Sequence, residues 1–197
     1  MPGKRWATAV SYTSHMVTKT RMTLEEFLAL PETKPHLEFI DGEVYEKPTP
    51  NRAHAELCAE LIALLRNYLV ESNEGRVYTE LRHMERDLNW VYLPDINVTL
   101  AGRLGPFTPG PEEVQPDFAI EVLSPDDRYG RIADRIDFYM RSGVQLLWLV
   151  DPEARSVTAY RRGEAPTFHR VPETIDAQPV LRDFELDLGA LFAVLDA

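Results

Sequence analysis

A single carboxylate inside an apolar run restricts the fold of this chain more than any other sequence feature. Residues 118–123 read FAIEVL, so Glu121 is the one charged side chain of the run, and a Ser-Pro pair follows it. A short apolar run that ends at a turn signal is typical of a strand in the centre of a sheet. A carboxylate there is costly unless it is paired or binds a cation. We therefore expect residues 115–123 to form a buried strand with a partner for Glu121.

Three further segments predict an α/β fold. Residues 144–150 form a second apolar strand, and leucines at helical spacing between residues 51 and 71 indicate a long helix with one buried face. The pair Asp41-Gly42 between two short strand-like segments predicts a hairpin over residues 36–47. This order of elements predicts a mixed central β-sheet flanked by helices.

The rest of the chain contains two further strand-like segments, a helix and a second hairpin. Residues 76–88 and 91–100 are predicted to form one strand each, and a helix is expected to follow the loop after residue 125. Residues 156–171 predict an exposed hairpin near the end of the chain. Such a hairpin is suited to contact a second copy, so we expect a homodimer.

Length and composition limit the remaining possibilities. The chain of 197 residues is expected to form one domain over residues 22–197, after a disordered tail of residues 1–21. Cys58 is the only cysteine, so no internal disulfide is possible, and a reducing, cytoplasmic location is expected. The apolar runs are far shorter than the roughly 20 residues that a membrane span needs. We therefore expect no association with a membrane.

The charge balance restricts how this chain could bind nucleic acid. The formal net charge is −11, whereas nucleic acid is usually bound by a basic face. A local basic stripe on an acidic protein remains compatible with binding. All positive charges after Lys47 are arginines, because no lysine follows that position.

A second acid has an unusual position. Asp95 follows Pro94 inside the strand-like segment VYLPDINVTL. If this strand and that of Glu121 are neighbours, the two carboxylates can converge on one face. Two such hard oxygen ligands suit Mg²⁺ or Mn²⁺, and a metal of this kind can activate water for phosphodiester hydrolysis. The competing interpretation is that both acids lie at strand ends and pair with arginine.

Several segments together resemble a known family. The segments LEFIDGEV, LPDINV, PDFAIEVLSPDDR, RIDFYMRSGV and LLWLVDPE closely resemble the Uma-two family of endonucleases. The resemblance implies a restriction-endonuclease-like fold and membership of the PD-(D/E)xK nucleases. It assigns catalytic roles to Glu38, Asp95 and Glu121, with Asp95 and Glu121 as ligands of Mg²⁺ or Mn²⁺.

The lysine of the family motif is missing. Leu123 stands two residues after Glu121, where the motif has lysine, and Arg135 stands where members of the family have a lysine in the following helix. Because no lysine follows Lys47, we expect that no lysine replaces it. Arg135 is then the expected catalytic cation, which stabilises phosphate charge but cannot act as a base.

Three functions remain open from the sequence. The first is a metal-dependent endonuclease that acts on nucleic acid, with DNA favoured over RNA. The second is a weakened or inactive relative that binds DNA or a protein partner, which the missing lysine and the negative charge favour. The third is a hydrolase of small phosphate esters. His54 has no metal-type spacing to other histidines and is expected to be an ordinary surface or half-buried residue, although its position at the start of the long helix would let it approach a cleft.

Overall fold

The computed structural model describes residues 21–107, 109–125, 127 and 129–196. The tail expected to be disordered, residues 1–21, lies outside the described residues except for Arg21. In the described part of the chain no helix is long and apolar enough to cross a membrane. The α-helices there are α1 (Leu24–Leu28), α2 (Arg52–Ser72), α3 (Tyr129–Ser142) and α4 (Leu188–Ala193).

The strands in the described part of the chain are short, with three to six residues each. In chain order they are β1 (Leu37–Ile40), β2 (Glu43–Glu46), β3 (Gly75–Thr79), β4 (His83–Glu85), β5 (Trp90–Tyr92), β6 (Ile96–Leu100), β7 (Phe118–Val122), β8 (Leu146–Asp151), β9 (Ser156–Arg161), β10 (Thr167–Arg170), β11 (Thr174–Asp176) and β12 (Glu185–Asp187). The last two strands pair with each other, and the others form two larger sheets.

The main sheet contains six strands in the order β10-β9-β8-β7-β6-β3. β7 and β8 run parallel, joined by α3, and the other neighbours run antiparallel. The two apolar strands expected from the sequence are this central parallel pair. The prediction of a mixed α/β sheet with flanking helices is therefore confirmed.

The prediction of one strand each for residues 76–88 and 91–100 is wrong. Both segments divide between the main sheet and a second, antiparallel sheet in the order β2-β1-β5-β4. The chain leaves the main sheet at Glu80, which has a left-handed backbone conformation with φ of 47°. It returns at Pro94, which has no N–H for the strand ladder. Asp95 follows directly after this return.

The two faces of the main sheet are covered differently. One face packs on α2 and α4 through a large apolar core that includes Leu61, Ile120 and Trp148. The other face meets α3 and the second sheet, where an aromatic cluster contains Tyr92, Phe138 and Tyr139. Because side chains alternate along a strand, Glu121 lies on this second face, beside residues of the aromatic cluster.

Truncation of the helix that covers the first face is expected to destabilise the fold. Leu61 on α2 is fully buried in the large core, so Leu61→Ala should lower the free energy of unfolding by about 2–5 kcal/mol. Val70 lies on the same helix but is 69% exposed, so Val70→Ala should change it by less than about 0.5 kcal/mol. Urea unfolding followed by tryptophan fluorescence measures both. Equal losses in the two variants would contradict the packing of α2 described above.

Candidate active site

Asp95 and Glu121 face each other across two neighbouring strands. β6 and β7 are antiparallel with Ile96 opposite Ile120, and the same register places Asp95 opposite Glu121, one residue further. Both carboxylates are buried. The backbone N–H of Val122 donates to Asp95 Oδ2 at 2.8 Å. The two strands are thus neighbours as expected, and the two acids converge on one face of the sheet.

Two basic side chains contact Asp95. Lys47, directly after β2, places Nζ 2.7 Å from Asp95 Oδ1 and donates to the carbonyl oxygen of Leu93 at 2.6 Å. His54, in the first turn of α2, places Nε2 3.1 Å from Asp95 Oδ2. Burial by itself would raise the pKa of Asp95. The charge of Lys47 and the hydrogen bond from His54 outweigh that effect and hold this pKa well below its usual range.

The negative charge of Glu121 is less well compensated by its neighbours than that of Asp95. The hydroxyl of Tyr139 on α3 donates to Glu121 Oε1, and Arg135 Nη1 lies 3.8 Å from Oε2. Burial raises the pKa of Glu121, the charge of Arg135 opposes the rise, and the charge of Asp95 adds to it. Of the two acids, Glu121 is therefore the one that holds its proton more readily. A divalent cation beside both acids would stabilise the charged form of Glu121.

Arg135 joins three carboxylates from different parts of the chain. Its Nη2 donates to Oε2 of Glu38, on β1 of the second sheet, at 3.2 Å. Its Nη1 lies 3.6 Å from Asp127 Oδ1, in addition to the contact with Glu121. The other oxygen of Glu38 accepts a hydrogen bond from the backbone N–H of Leu93 at 3.3 Å. The structure thus brings Glu38, Asp95, Glu121 and Arg135 into one charged cluster.

The sequence analysis did not place Lys47 and His54 in this cluster. The expectation that no lysine enters the site is wrong, because Lys47 reaches Asp95 from the N-terminal side of the chain. The hairpin contained a signal for Lys47. Glu38 lies opposite Tyr45, so Lys47, two residues further, lies on the same face as Glu38. The position of His54 at the start of α2 indicated only that it could approach a cleft, because its contact with Asp95 depends on how α2 packs against the sheet.

The donor atoms of Asp95 and Glu121 fit a Mg²⁺ or Mn²⁺ ion, since both ions prefer carboxylate oxygens. The fit is strengthened by the repulsion between the two buried acids, which a cation would relieve. A second donor group consists of His54, Cys58 and Asp95, whose ligand atoms lie within 4.8 Å of one another. Its nitrogen and sulfur atoms suit softer metals. Burial raises the pKa of the Cys58 thiol, which disfavours the thiolate that a metal would bind.

Comparison with known proteins assigns the chain to a family. A family model described as "Putative restriction endonuclease" matches residues 24–189, which include every residue of the charged cluster. The chain belongs to the Uma2 family. The resemblance inferred from the sequence motifs is therefore confirmed. A search of curated proteins found no match.

Solved structures extend the comparison to the fold. A protein from Anabaena variabilis ATCC 29413, described as "a putative nuclease belonging to DUF820", shares 28% sequence identity and a TM-score of 0.81. The match covers 88% of this chain and 99% of that chain. It confirms the restriction-endonuclease-like α/β fold expected of a Uma2 member. A DrdV-DNA complex matches with 18% identity and a TM-score of 0.37, over 75% of this chain and 11% of that chain, and supports no conclusion here.

Loss of the cation that joins the carboxylates is expected to destabilise the protein. The side chain of Arg135 is 13% exposed, so Arg135→Met leaves buried acids without their partner and should cost about 3–5 kcal/mol of unfolding free energy. Arg141 on the same helix forms an exposed pair with Asp137 at 3.2 Å, and Arg141→Met should cost less than about 1 kcal/mol. Urea unfolding of both variants checks this. An Arg135→Met variant as stable as Arg141→Met would show that the acids do not depend on Arg135.

Proposed function

We propose that this protein is a metal-dependent endonuclease that hydrolyses phosphodiester bonds in DNA. The observation that carries the proposal is the meeting of two buried carboxylates, Asp95 and Glu121, on neighbouring strands. Acids that converge beside basic side chains are suited to bind a divalent cation and a phosphate together. The description of the Uma2 model and that of the Anabaena protein both name nuclease activity and support this class of reaction.

The residues of the cluster take different roles in this proposal. Asp95 and Glu121 would hold Mg²⁺ or Mn²⁺, which when bound lowers the pKa of water and offsets phosphate charge. Arg135 keeps a permanent positive charge beside Glu121, where it can stabilise a phosphate oxygen but cannot accept a proton. Glu38 positions Arg135 through the hydrogen bond at 3.2 Å. Glu38 is thus a positioning residue that acts through the guanidinium.

DNA must be attracted by a local charge, because the whole chain has a net charge of −11. Arg131, on α3 one turn before Arg135, is suited to this task. Its side chain is 29% exposed, its Nη2 donates to the carbonyl oxygen of Glu46 at 3.2 Å, and its guanidinium lies 4.9 Å from the centre of the Tyr45 ring. A held, partly exposed guanidinium at the edge of the cluster can contact the phosphate backbone without reading sequence.

One observation favours a second candidate, a binding module without turnover. Each carboxylate oxygen of Asp95 and Glu121 has a donor or a cation nearby, namely Lys47, His54, the Val122 N–H, Tyr139 and Arg135. A cluster whose negative charges already have such partners can persist without a metal ion. The two candidates differ in whether the acids are required for bond cleavage or only for the fold.

Removal of either acid is expected to abolish cleavage. Asp95→Asn and Glu121→Gln keep the size of the side chains but remove a metal-binding charge, so the cutting rate of supercoiled plasmid in Mg²⁺ or Mn²⁺ should fall about 100-fold or more. Asp134→Asn, an exposed acid on α3, should cut at the rate of the unaltered protein. Agarose gel analysis of nicked and linear plasmid measures all four proteins.

The same assay separates the candidates. If the unaltered protein binds plasmid but does not cut it in either metal, the binding module replaces the nuclease. If both acid variants cut at the full rate, the metal site has been assigned to the wrong residues. A small phosphodiester such as bis(p-nitrophenyl) phosphate can be added together with excess plasmid. Hydrolysis of the small ester at an undiminished rate, with the plasmid left uncut, would indicate a small-ester hydrolase.

We further propose that two copies associate along the edge strand β10. This strand ends the main sheet, so one side of its backbone has no neighbouring strand among the described residues. Phe168 on β10 is 62% exposed, and Val171 directly after it is 37% exposed. Pairing of two edges would satisfy the open backbone groups and bury these apolar side chains. A dimer would also provide two sites for the two strands of a duplex.

The mass of the particle in solution tests this association. Sedimentation velocity should give twice the chain mass of 22.5 kDa for the unaltered protein. Phe168→Asp should give the mass of one chain, because it places a charge in the proposed contact. Phe107→Asp alters a fully exposed aromatic residue outside β10 and should leave the dimer intact. A single-chain mass for the unaltered protein would remove the dimer and leave the nuclease proposal untouched.

A further inference from the structure

Each acid of the central pair has its own cation. Lys47 contacts Asp95, with Nζ 2.7 Å from Oδ1, whereas Arg135 contacts Glu121, with Nη1 3.8 Å from Oε2. The two cations come from distant parts of the sequence: Lys47 directly follows β2, and Arg135 lies on α3. A phosphate that approaches the acid pair would therefore meet two positive charges of different chemistry.

The Lys47 ammonium keeps a hydrogen-bonding capacity that the cluster does not use. An ammonium group has three N–H donors. Within the described part of the chain, its acceptors are Asp95 Oδ1 and the carbonyl oxygen of Leu93, which leaves one N–H. Lys47 also lines a cavity of about 480 Å³ together with residues 34–36, residues 48–50 and Glu80. The residue thus borders this cavity while its ammonium lies against Asp95, and its side chain is 10% exposed.

Arg135 is less able to bind a substrate directly. Its guanidinium lies within 3.2 to 3.8 Å of three carboxylates, those of Glu38, Glu121 and Asp127. These acids compete with any phosphate for the same N–H groups. The guanidinium therefore acts on a phosphate chiefly through its charge, and the compact point charge of Lys47 is the better group to contact a phosphate oxygen directly.

The role of Lys47 in neutralising Asp95 does not use its whole hydrogen-bonding capacity. The other oxygen of Asp95 already has the Val122 N–H and His54 as partners. A buried ion pair seldom stabilises a fold more than apolar residues of similar size would. The remaining N–H of Lys47 is thus suited to a further acceptor, such as a phosphate oxygen.

We propose that Lys47 is a catalytic residue whose ammonium binds a non-bridging oxygen of the scissile phosphate and stabilises the negative charge that develops there during hydrolysis. The proposal rests on the nuclease function proposed above. Lys47 then fills the role that the PD-(D/E)xK motif gives to a lysine on the strand of Glu121, where this chain has Leu123. The cation reaches the site from the end of β2 instead of β7. No bond to Lys47 forms or breaks in this step.

A matched pair of lysine variants tests the assignment. Lys34 is exposed and lines the same cavity. At saturating plasmid in Mg²⁺ or Mn²⁺, single-turnover cutting by Lys47→Met should be about 100-fold slower than in the unaltered protein, and Lys34→Met should stay within threefold. Binding of duplex DNA is measured in Ca²⁺ at several salt concentrations. The slope of log affinity against log salt should shrink by about 0.9 in Lys47→Met, as the loss of one phosphate contact requires.

The outcomes distinguish this proposal from the nuclease proposal. Full-rate cutting by a folded Lys47→Met variant overturns the role of Lys47 and leaves the nuclease intact. If the unaltered protein cuts no DNA, the nuclease fails, and the salt slope alone decides whether Lys47 contacts phosphate. A protein that neither cuts nor binds DNA overturns both.

A further variant is needed if Lys47→Met does not fold. If circular dichroism shows that Lys47→Met is unfolded, Lys47→Arg replaces it, because arginine keeps a positive charge beside Asp95. Cutting at the full rate by Lys47→Arg would show that the step does not need an ammonium group at this position, and the proposal would fail. A rate at least tenfold lower in a folded Lys47→Arg variant supports a contact that needs the compact ammonium.

Discussion

The free-energy cost of two carboxylates buried on adjacent central strands is the constraint on which the arrangement of this protein depends. Asp95 and Glu121 lose most of their hydration and repel each other, so the fold must bring compensating charge to that point. The second sheet brings Lys47, α2 brings His54, and α3 brings Arg135. Three separate elements thus converge on one short stretch of β6 and β7. The apolar cores position these elements, and the charges determine where their ends meet.

Much of this arrangement could be predicted from the sequence. The apolar run around Glu121 gives a central strand, and the acid inside it gives the candidate site, because nothing else explains a charge in such a run. The spacing of leucines predicts α2 and its buried face. The family motifs point to Glu38, Asp95 and Arg135, and the structure brings these residues to Glu121. Their chemical roles stay predictions.

Other parts of the structure could not be predicted from local sequence patterns, because they depend on contacts between distant parts of the fold. Residues 76–88 and 91–100 alternate like single strands, and only the presence of two sheets explains why each segment is divided between them. The contact of His54 with Asp95 depends on helix packing, which periodicity does not describe. Lys47 is a different case. Its place beside Glu38 follows from the hairpin register, which a motif defined by spacing along the chain does not describe.

The division of the charged cluster between two sheets has a mechanical consequence. Glu38 and Lys47 belong to the second sheet and its hairpin, whereas Asp95 and Glu121 belong to the main sheet. Pro94, at the crossing between the sheets, lies directly beside Asp95. The ion pair between Lys47 and Asp95 therefore acts as a cross-link between the two sheets, because it joins the end of the hairpin to the start of β6. A substitution at either residue would thus weaken the attachment of the hairpin as well as alter the charge of the cluster.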